Sequence, residues 1–153
     1  MVGDALIHDC VYTDAKRQGN GTYDFKPMIE NIKAISSKYD LAYYNQETIL
    51  GGTSLGISTY PTFNSPQEVG DAFIDAGFNL VSLATNHTLD KGEAGVLAAQ
   101  KNWETFEGVI TAGSTDSLEK RNQIPVIEQN GIKVALLSYS YGFNGYKVPE
   151  DKP

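Results

Sequence analysis

Three groups of residues in this sequence combine carboxylate, imidazole and amide oxygen: Gly3-Asp4 with His8, Asn45 with Glu47, and Asn86-His87 with Asp90. These are the donors that hard and borderline divalent metals take. Each group borders an apolar run, and in open α/β sheets the functional loops lie beyond the carboxyl ends of the strands. Spacing alone does not decide for a metal. Taken singly, Asp4 also suits a turn, Glu47 a loop carboxylate and Asn86 a turn or a cap. The loop Gly142-Phe143-Asn144-Gly145 suits either a substrate contact through Asn144 or a plain turn, because Gly and Asn are ordinary turn residues.

The elements that must position these residues can be read from periodicity and punctuation. Lys26 to Ile35 is a helix with Pro27 in its first turn and Met28, Ile29, Ile32 and Ile35 on one side. Leu41 to Gln46 reads as an aromatic-rich strand, with Glu47 just beyond its end and a Gly-rich loop from Gly51 to Ser58 after it. Ser65-Pro66-Gln67-Glu68 has the form of a capping box, followed by a helix with a buried face of Val69, Ala72, Phe73 and Ala76 and a stop at Gly77. Phe78 to Ala84 reads as a buried strand that ends at Thr85-Asn86-His87. A third helix runs from about Gly92 to Phe106 on Val96, Leu97, Trp103 and Phe106, and Val109 to Thr111 is a further short strand. Asn130-Gly131 between two apolar runs is the strongest two-residue hairpin signal. The order predicts an α/β fold: a mostly parallel sheet flanked by helices, with one antiparallel element.

Composition narrows the function. At 153 residues, 41% hydrophobic and 20% charged, the chain reads as a single α/β unit, and a net charge of −7 with no basic run excludes a nucleic-acid surface. The lone Cys10 forms no internal disulfide and reads as a small buried hydrophobe. No apolar stretch reaches the ~20 residues of a membrane helix. The opening Met1-Val2-Gly3-Asp4 and the closing Val148 to Pro153 both lack a finishing element, so the expectation is a piece truncated at both ends.

Several segments, in order, carry a resemblance to one family. These are Gly3-Asp4; Asp40-Leu41-Ala42 leading to Asn45-Gln46-Glu47-Thr48; Tyr60 to Pro66; Asp75 to Asp90 with its Ala84-Thr85-Asn86-His87; Asn130 to Ala135; and Ser138 to Gly145. Each motif alone is weak, but the ordered set covers nearly the whole chain and resembles the N-terminal half of CapA-type proteins. These form the capsule and poly-γ-glutamate synthesis family, whose catalytic domain is related to the calcineurin-like metallophosphoesterases. The resemblance implies half of an α/β sandwich domain, residues 1–153 being its N-terminal part.

The resemblance also implies roles. Asp4, Glu47 and Asn86 would approach a centre of two divalent ions (Mn, Zn or Fe), with Glu47 bridging and Asn86 giving a neutral oxygen. Two such ions clamp a phosphate and lower the pKa of a bridging water. His87 would stand beside the phosphate as a catalytic acid or charge stabiliser, with Asp90 orienting its ring; the plainer alternative is a structural His-Asp pair holding a turn. His8 belongs at the site mouth, because Asp4-Ala5-Leu6 stands where the superfamily reads Asp-x-His, and Asn45 joins it as a substrate or mouth residue. His8 and His87 are the only histidines, so this length supplies about half a metal site and needs the C-terminal half of the domain as its partner. The implied function is capsule biosynthesis by a metal-dependent phosphoesterase-like domain acting on an anionic polymer or a phosphorylated precursor. The implied location is the outer face of the cytoplasmic membrane, anchored in the full-length protein and beside other capsule-synthesis membrane proteins. The alternative is a non-catalytic, membrane-tethered subunit that binds or exports the polymer.

Overall fold

The computed structural model describes residues 1–153. Helices α1 (Asp9–Gln18) and α2 (Lys26–Ser36) precede strand β1 (Tyr43–Asn45). Helix α3 (Glu68–Asp75), β2 (Leu80–Ser82), α4 (Gly92–Trp103) and β3 (Ile110–Ala112) follow, then the short α5 (Leu118–Arg121) and the hairpin β4 (Val126–Gln129) with β5 (Ile132–Ala135). Strands β1, β2 and β3 form a parallel sheet in that order, and the hairpin is a separate antiparallel pair. The fold is therefore the expected α/β arrangement of a parallel sheet flanked by helices, compatible with half of an α/β sandwich.

The N-terminal segment extends this sheet without becoming a full strand. Val2 N–H donates to the Tyr43 carbonyl (2.9 Å), Asn45 N–H to that of Gly3 (3.1 Å) and Ala5 N–H to that of Asn45 (2.8 Å), which makes a parallel bridge between Asp4 and Asn45. Parallel register puts paired residues on one face. Tyr44 and Val81 thus point to the helices, where Tyr44 stacks on Phe73 of α3 (4.1 Å between ring centroids) and meets Phe78 edge-on. Both Tyr44 and Val81 are fully buried, in a cluster with Leu50, Val69, Ala72 and Trp103. Tyr43, Asn45, Leu80 and Ser82 occupy the other face.

Local chemistry explains most element boundaries. Helix α1 starts with Asp9 and ends with Lys16 and Arg17, charges that suit the helix dipole. Pro27 opens α2, where the Asp24 carboxylate also accepts from Lys26 N–H (3.0 Å). Gly77, at φ 91°, stops α3, and a Cβ there would come within 3.1 Å of Ser37. The Asn130-Gly131 turn has positive φ at both residues, 52° and 78°, as a type I′ hairpin requires.

Two expectations need correction, and two apolar helix positions turn out open. The Ser65 side chain does not cap α3: the helix begins at Glu68, and Ser65 Oγ is buried against Thr48 Oγ1 (2.7 Å), a tie from loop to sheet that outcompetes the cap. Cys10 is exposed in the first turn of α1, because that helix buries Ala15 instead. The apolar side of α2 stays largely open, with Met28 39%, Ile32 38% and Ile35 57% exposed; Ile29 packs on the core, and α2 is tied to α3 and its C-terminal end by the Lys33–Asp75 ion pair (2.7 Å) and by Ser36 Oγ donating to the Ala76 carbonyl. Leu97 of α4 likewise faces solvent.

Candidate functional site

The chain reverses direction just after each parallel strand, and the polar residues gather there. Asp4 leaves the N-terminal segment beside β1, Glu47 follows β1, and the Thr85–Asp90 turn follows β2. The turn is sewn together by its threonines: Thr88 Oγ1 donates to the Leu83 carbonyl (2.8 Å), and Thr85 N–H donates to Thr88 Oγ1 (3.0 Å). Thr85 Oγ1 donates to the Glu47 carbonyl (2.8 Å), fixing the end of β2 to the end of β1.

Asp4 and Glu47 are electrostatic neighbours. The Glu47 carboxyl is raised above the usual carboxylate range, first by burial and then by the negative charge of Asp4, while the imidazoles of His87 and His8 pull it the other way. Neither Asp4 nor Glu47 has an ion-pair partner, although the chain forms ion pairs elsewhere. Two neighbouring carboxylates with no Lys or Arg paired to them suit a bound cation.

His87 is held on several sides. Its Nδ1 lies 2.7 Å from Asp90 Oδ2, the same oxygen that accepts from Phe63 N–H (2.6 Å), and the Asp90 side chain is 0% exposed. An ionised carboxylate only accepts, so Nδ1 carries the proton and Nε2 is the ring nitrogen left for chemistry. Asp90 Oδ1 is buried with no partner, so the His87 proton and the Phe63 amide both fall on one oxygen. The fully buried Phe63 ring makes T-shaped contacts with both His87 (4.7 Å) and His8 (5.0 Å), so one aromatic ring packs against both imidazoles.

The remaining expected residues line the rim. Asn86 is exposed, and its Nδ2 donates to Asn144 Oδ1 (3.2 Å), which leaves the Asn86 Oδ1 as the free end of that amide. Asn144 also approaches His87 Nδ1 (3.5 Å), so the loop after the hairpin reaches the site. His8 stands at the start of α1 with Nδ1 3.3 Å from Thr59 Oγ1. Asn45 is engaged at both ends of its amide, by Asp4 (2.8 Å) and by Ser82. The structure thus brings Asp4 and Glu47 together, with His8 and His87 near enough to act on Glu47, and it joins Asn86 to Asn144 and His87. No group of three or more His, Cys, Asp or Glu side chains is gathered closely enough to hold a metal ion.

Ser82, Tyr43, Phe63 and Thr85 also belong to this neighbourhood, and reading the sequence for chemistry passed them over. Ser82 carried a usable signal, since a hydroxyl inside an apolar strand must find a partner. Phe63 carried none. A groove of about 680 Å³ lies elsewhere, between Tyr23, Lys26, Glu68, Asp71 and Phe106. Behind Glu47 there is only a void of about 20 Å³, lined in part by Thr85 and Gln100, room for about one water.

No curated protein matches the chain. The family model described as bacterial capsule synthesis protein PGA_cap matches residues 1–153, over which the sheet, the Asp4–Glu47 pair and the His87–Asp90 pair are all laid out. The chain belongs to this bacterial capsule synthesis family.

Proposed function

We propose that this protein serves capsule biosynthesis outside the cytoplasmic membrane as a metallophosphoesterase-type hydrolase, acting on a phosphorylated precursor or on an anionic polymer such as poly-γ-glutamate. The observation that carries this reading is the Asp4–Glu47 pair, two neighbouring carboxylates with no Lys or Arg paired to them, set beside an imidazole that Asp90 orients. Asp4 and Glu47 would hold a divalent ion, Mn, Zn or Fe, and Asn86 would offer its free Oδ1 to a second. When bound, such ions neutralise phosphate charge and acidify a water. His87, with its proton fixed on Nδ1, presents Nε2 to the phosphoryl oxygens or the leaving group, where it can accept or donate a proton. Asp90 supports the imidazolium that forms on donation from water, and Phe63 keeps the ring from turning away. The protein's net charge of −7 repels a polyanion, so a bound cation also serves to bring the substrate in.

The test is turnover of a generic phosphate ester by the full-length protein with and without Mn²⁺. The expected result is cation-dependent hydrolysis that falls by about 10²- to 10⁴-fold in His87→Ala, the usual worth of a general acid or base. A second reading has one observation in its favour. Because no third His, Cys, Asp or Glu closes around the carboxylate pair, the protein can act as a membrane-tethered subunit that binds the polymer through cations, alongside other capsule-synthesis membrane proteins, without hydrolysing it. Cation-dependent retention of poly-γ-glutamate with no ester turnover would select that reading.

A further inference from the structure

Three side chains behind Asp4 are linked in series on the sheet face turned away from the helices. Tyr43 and Asn45 are alternate residues of β1, and Ser82 is paired with Asn45 across to β2. Tyr43 OH lies 2.9 Å from Ser82 Oγ, Ser82 Oγ bonds Asn45 Oδ1, and Asn45 Nδ2 lies 2.8 Å from Asp4 Oδ1. The polarity of this chain is set from its end. An ionised carboxylate only accepts, so Asn45 must turn its NH₂ to Asp4, and its Oδ1 then faces Ser82 and must accept. Ser82 has a single proton, which it spends on Asn45, so its own oxygen accepts from Tyr43. Every donor therefore points toward Asp4.

We propose that Tyr43, Ser82 and Asn45 are positioning residues for Asp4: a one-way hydrogen-bond relay that crosses β2, β1 and the N-terminal segment and fixes the carboxylate through its Oδ1, beside Glu47, where a cation would sit. The N-terminal segment needs such a lock because a single bridge and a few backbone hydrogen bonds tie it to β1. Asp4 itself is exposed, so its side chain has no packing to hold it. Outer groups that orient a ligating carboxylate commonly change metal affinity by about 10- to 100-fold. The inference rests on the reading of Asp4 as a cation ligand, but the relay itself can be observed without any cation.

The experiment has two arms on the full-length protein. In the first, Mn²⁺ is titrated calorimetrically into the wild type, Ser82→Ala, Ser82→Thr and Tyr43→Phe. The relay predicts about tenfold weaker binding in Ser82→Ala, recovery in Ser82→Thr, which keeps the hydroxyl, and a smaller loss in Tyr43→Phe at the far end. A merely structural role would lower the melting temperature and leave affinity unchanged, and that result would overturn the proposal. In the second arm, the Asn45 side-chain NH₂ resonances are followed by NMR in cation-free protein. The relay predicts that they shift in both Asp4→Asn and Ser82→Ala; resonances indifferent to both substitutions would overturn it. If the wild type takes up no Mn²⁺ but the Asn45 resonances respond, the relay stands and the cation reading of the site fails. Should Ser82→Ala not fold, Tyr43→Phe, at a half-buried position, carries both arms.

Discussion

In the parallel-sheet body, Tyr44, Phe63, Val69 and Val81 are sealed from solvent, whereas in the hairpin that follows Val126 is 49% exposed and Ile132 is 65% exposed. The body buries a continuous apolar cluster between sheet and helices. The hairpin and the segment after it meet the body through polar contacts: Asn130 Nδ2 to Asp40 Oδ2 (3.1 Å), Ala84 N–H to Ser138 Oγ (3.3 Å), Asn86 to Asn144, and Lys152 to Glu93 (2.9 Å). A two-stranded hairpin has little stability of its own. The carboxylates and imidazoles stand on the body, and the C-terminal region contributes only the rim residue Asn144. Chemistry that needs fixed geometry is carried by the part of the molecule that packing fixes.

The largest effects should separate the two regions most sharply. Tyr44→Ala removes a fully buried ring that stacks on Phe73, and large-to-small changes of this kind cost about 3–5 kcal/mol. Tyr141→Ala, at a fully exposed position near the rim, should stay within about 0.5 kcal/mol. Denaturant titration of both variants checks the contrast, and equal losses would erase it. Gly113 and Gly145 give a finer comparison. Both have positive φ, 99° and 90°, but a Cβ on Gly113 would lie 2.5 Å from Ala84 Cβ and 2.6 Å from Ser138 Oγ, whereas one on Gly145 would meet nothing. Gly145→Ala should cost only the left-handed penalty of about 1–2 kcal/mol, and Gly113→Ala that penalty plus the clash at the seam between body and C-terminal segment. Thermal melting resolves the difference.

The smallest effect concerns pH. Because the Glu47 carboxyl is raised in the folded protein, its contribution to stability is full below the unfolded value of about 4.5 and is lost as pH rises through the folded value. Glu47→Gln in cation-free protein should therefore melt above the wild type at pH 7, and the two melting temperatures should converge as pH falls below about 4.5. A variant that melts below the wild type at pH 7 would show that Glu47 holds the fold together rather than waiting for a cation.

What could be read in the sequence follows from the same contrast. Gly77, the apolar run around β2 and Asn130-Gly131 act through local backbone chemistry, and each produced the expected feature. The His87–Asp90 contact was legible because a three-residue separation brings side chains together within one turn. Ser65 was misread because its signal was local while its partner, Thr48, is not. Periodicity marked the apolar side of α2 without saying whether anything covers it, and Met28, Ile32 and Ile35 stand exposed. Helix α1 gave little signal, since beyond the charges at its ends it offers only Val11, Tyr12 and Ala15 to the core. The Tyr43–Ser82–Asn45–Asp4 series joins residues up to 78 positions apart and required the register of β1 against β2.

The central claim is that Asp4 and Glu47 form a cation site at the carboxyl end of the sheet. Calorimetric titration of Mn²⁺ into the full-length wild-type protein and its Asp4→Asn, Glu47→Gln and, as a remote carboxylate control, Asp71→Asn variants tests it most directly. The account predicts binding in the wild type and in Asp71→Asn, with loss in Asp4→Asn and in Glu47→Gln while both remain folded. Binding that survives in folded Asp4→Asn and Glu47→Gln, or a wild type that takes up no ion, would contradict it.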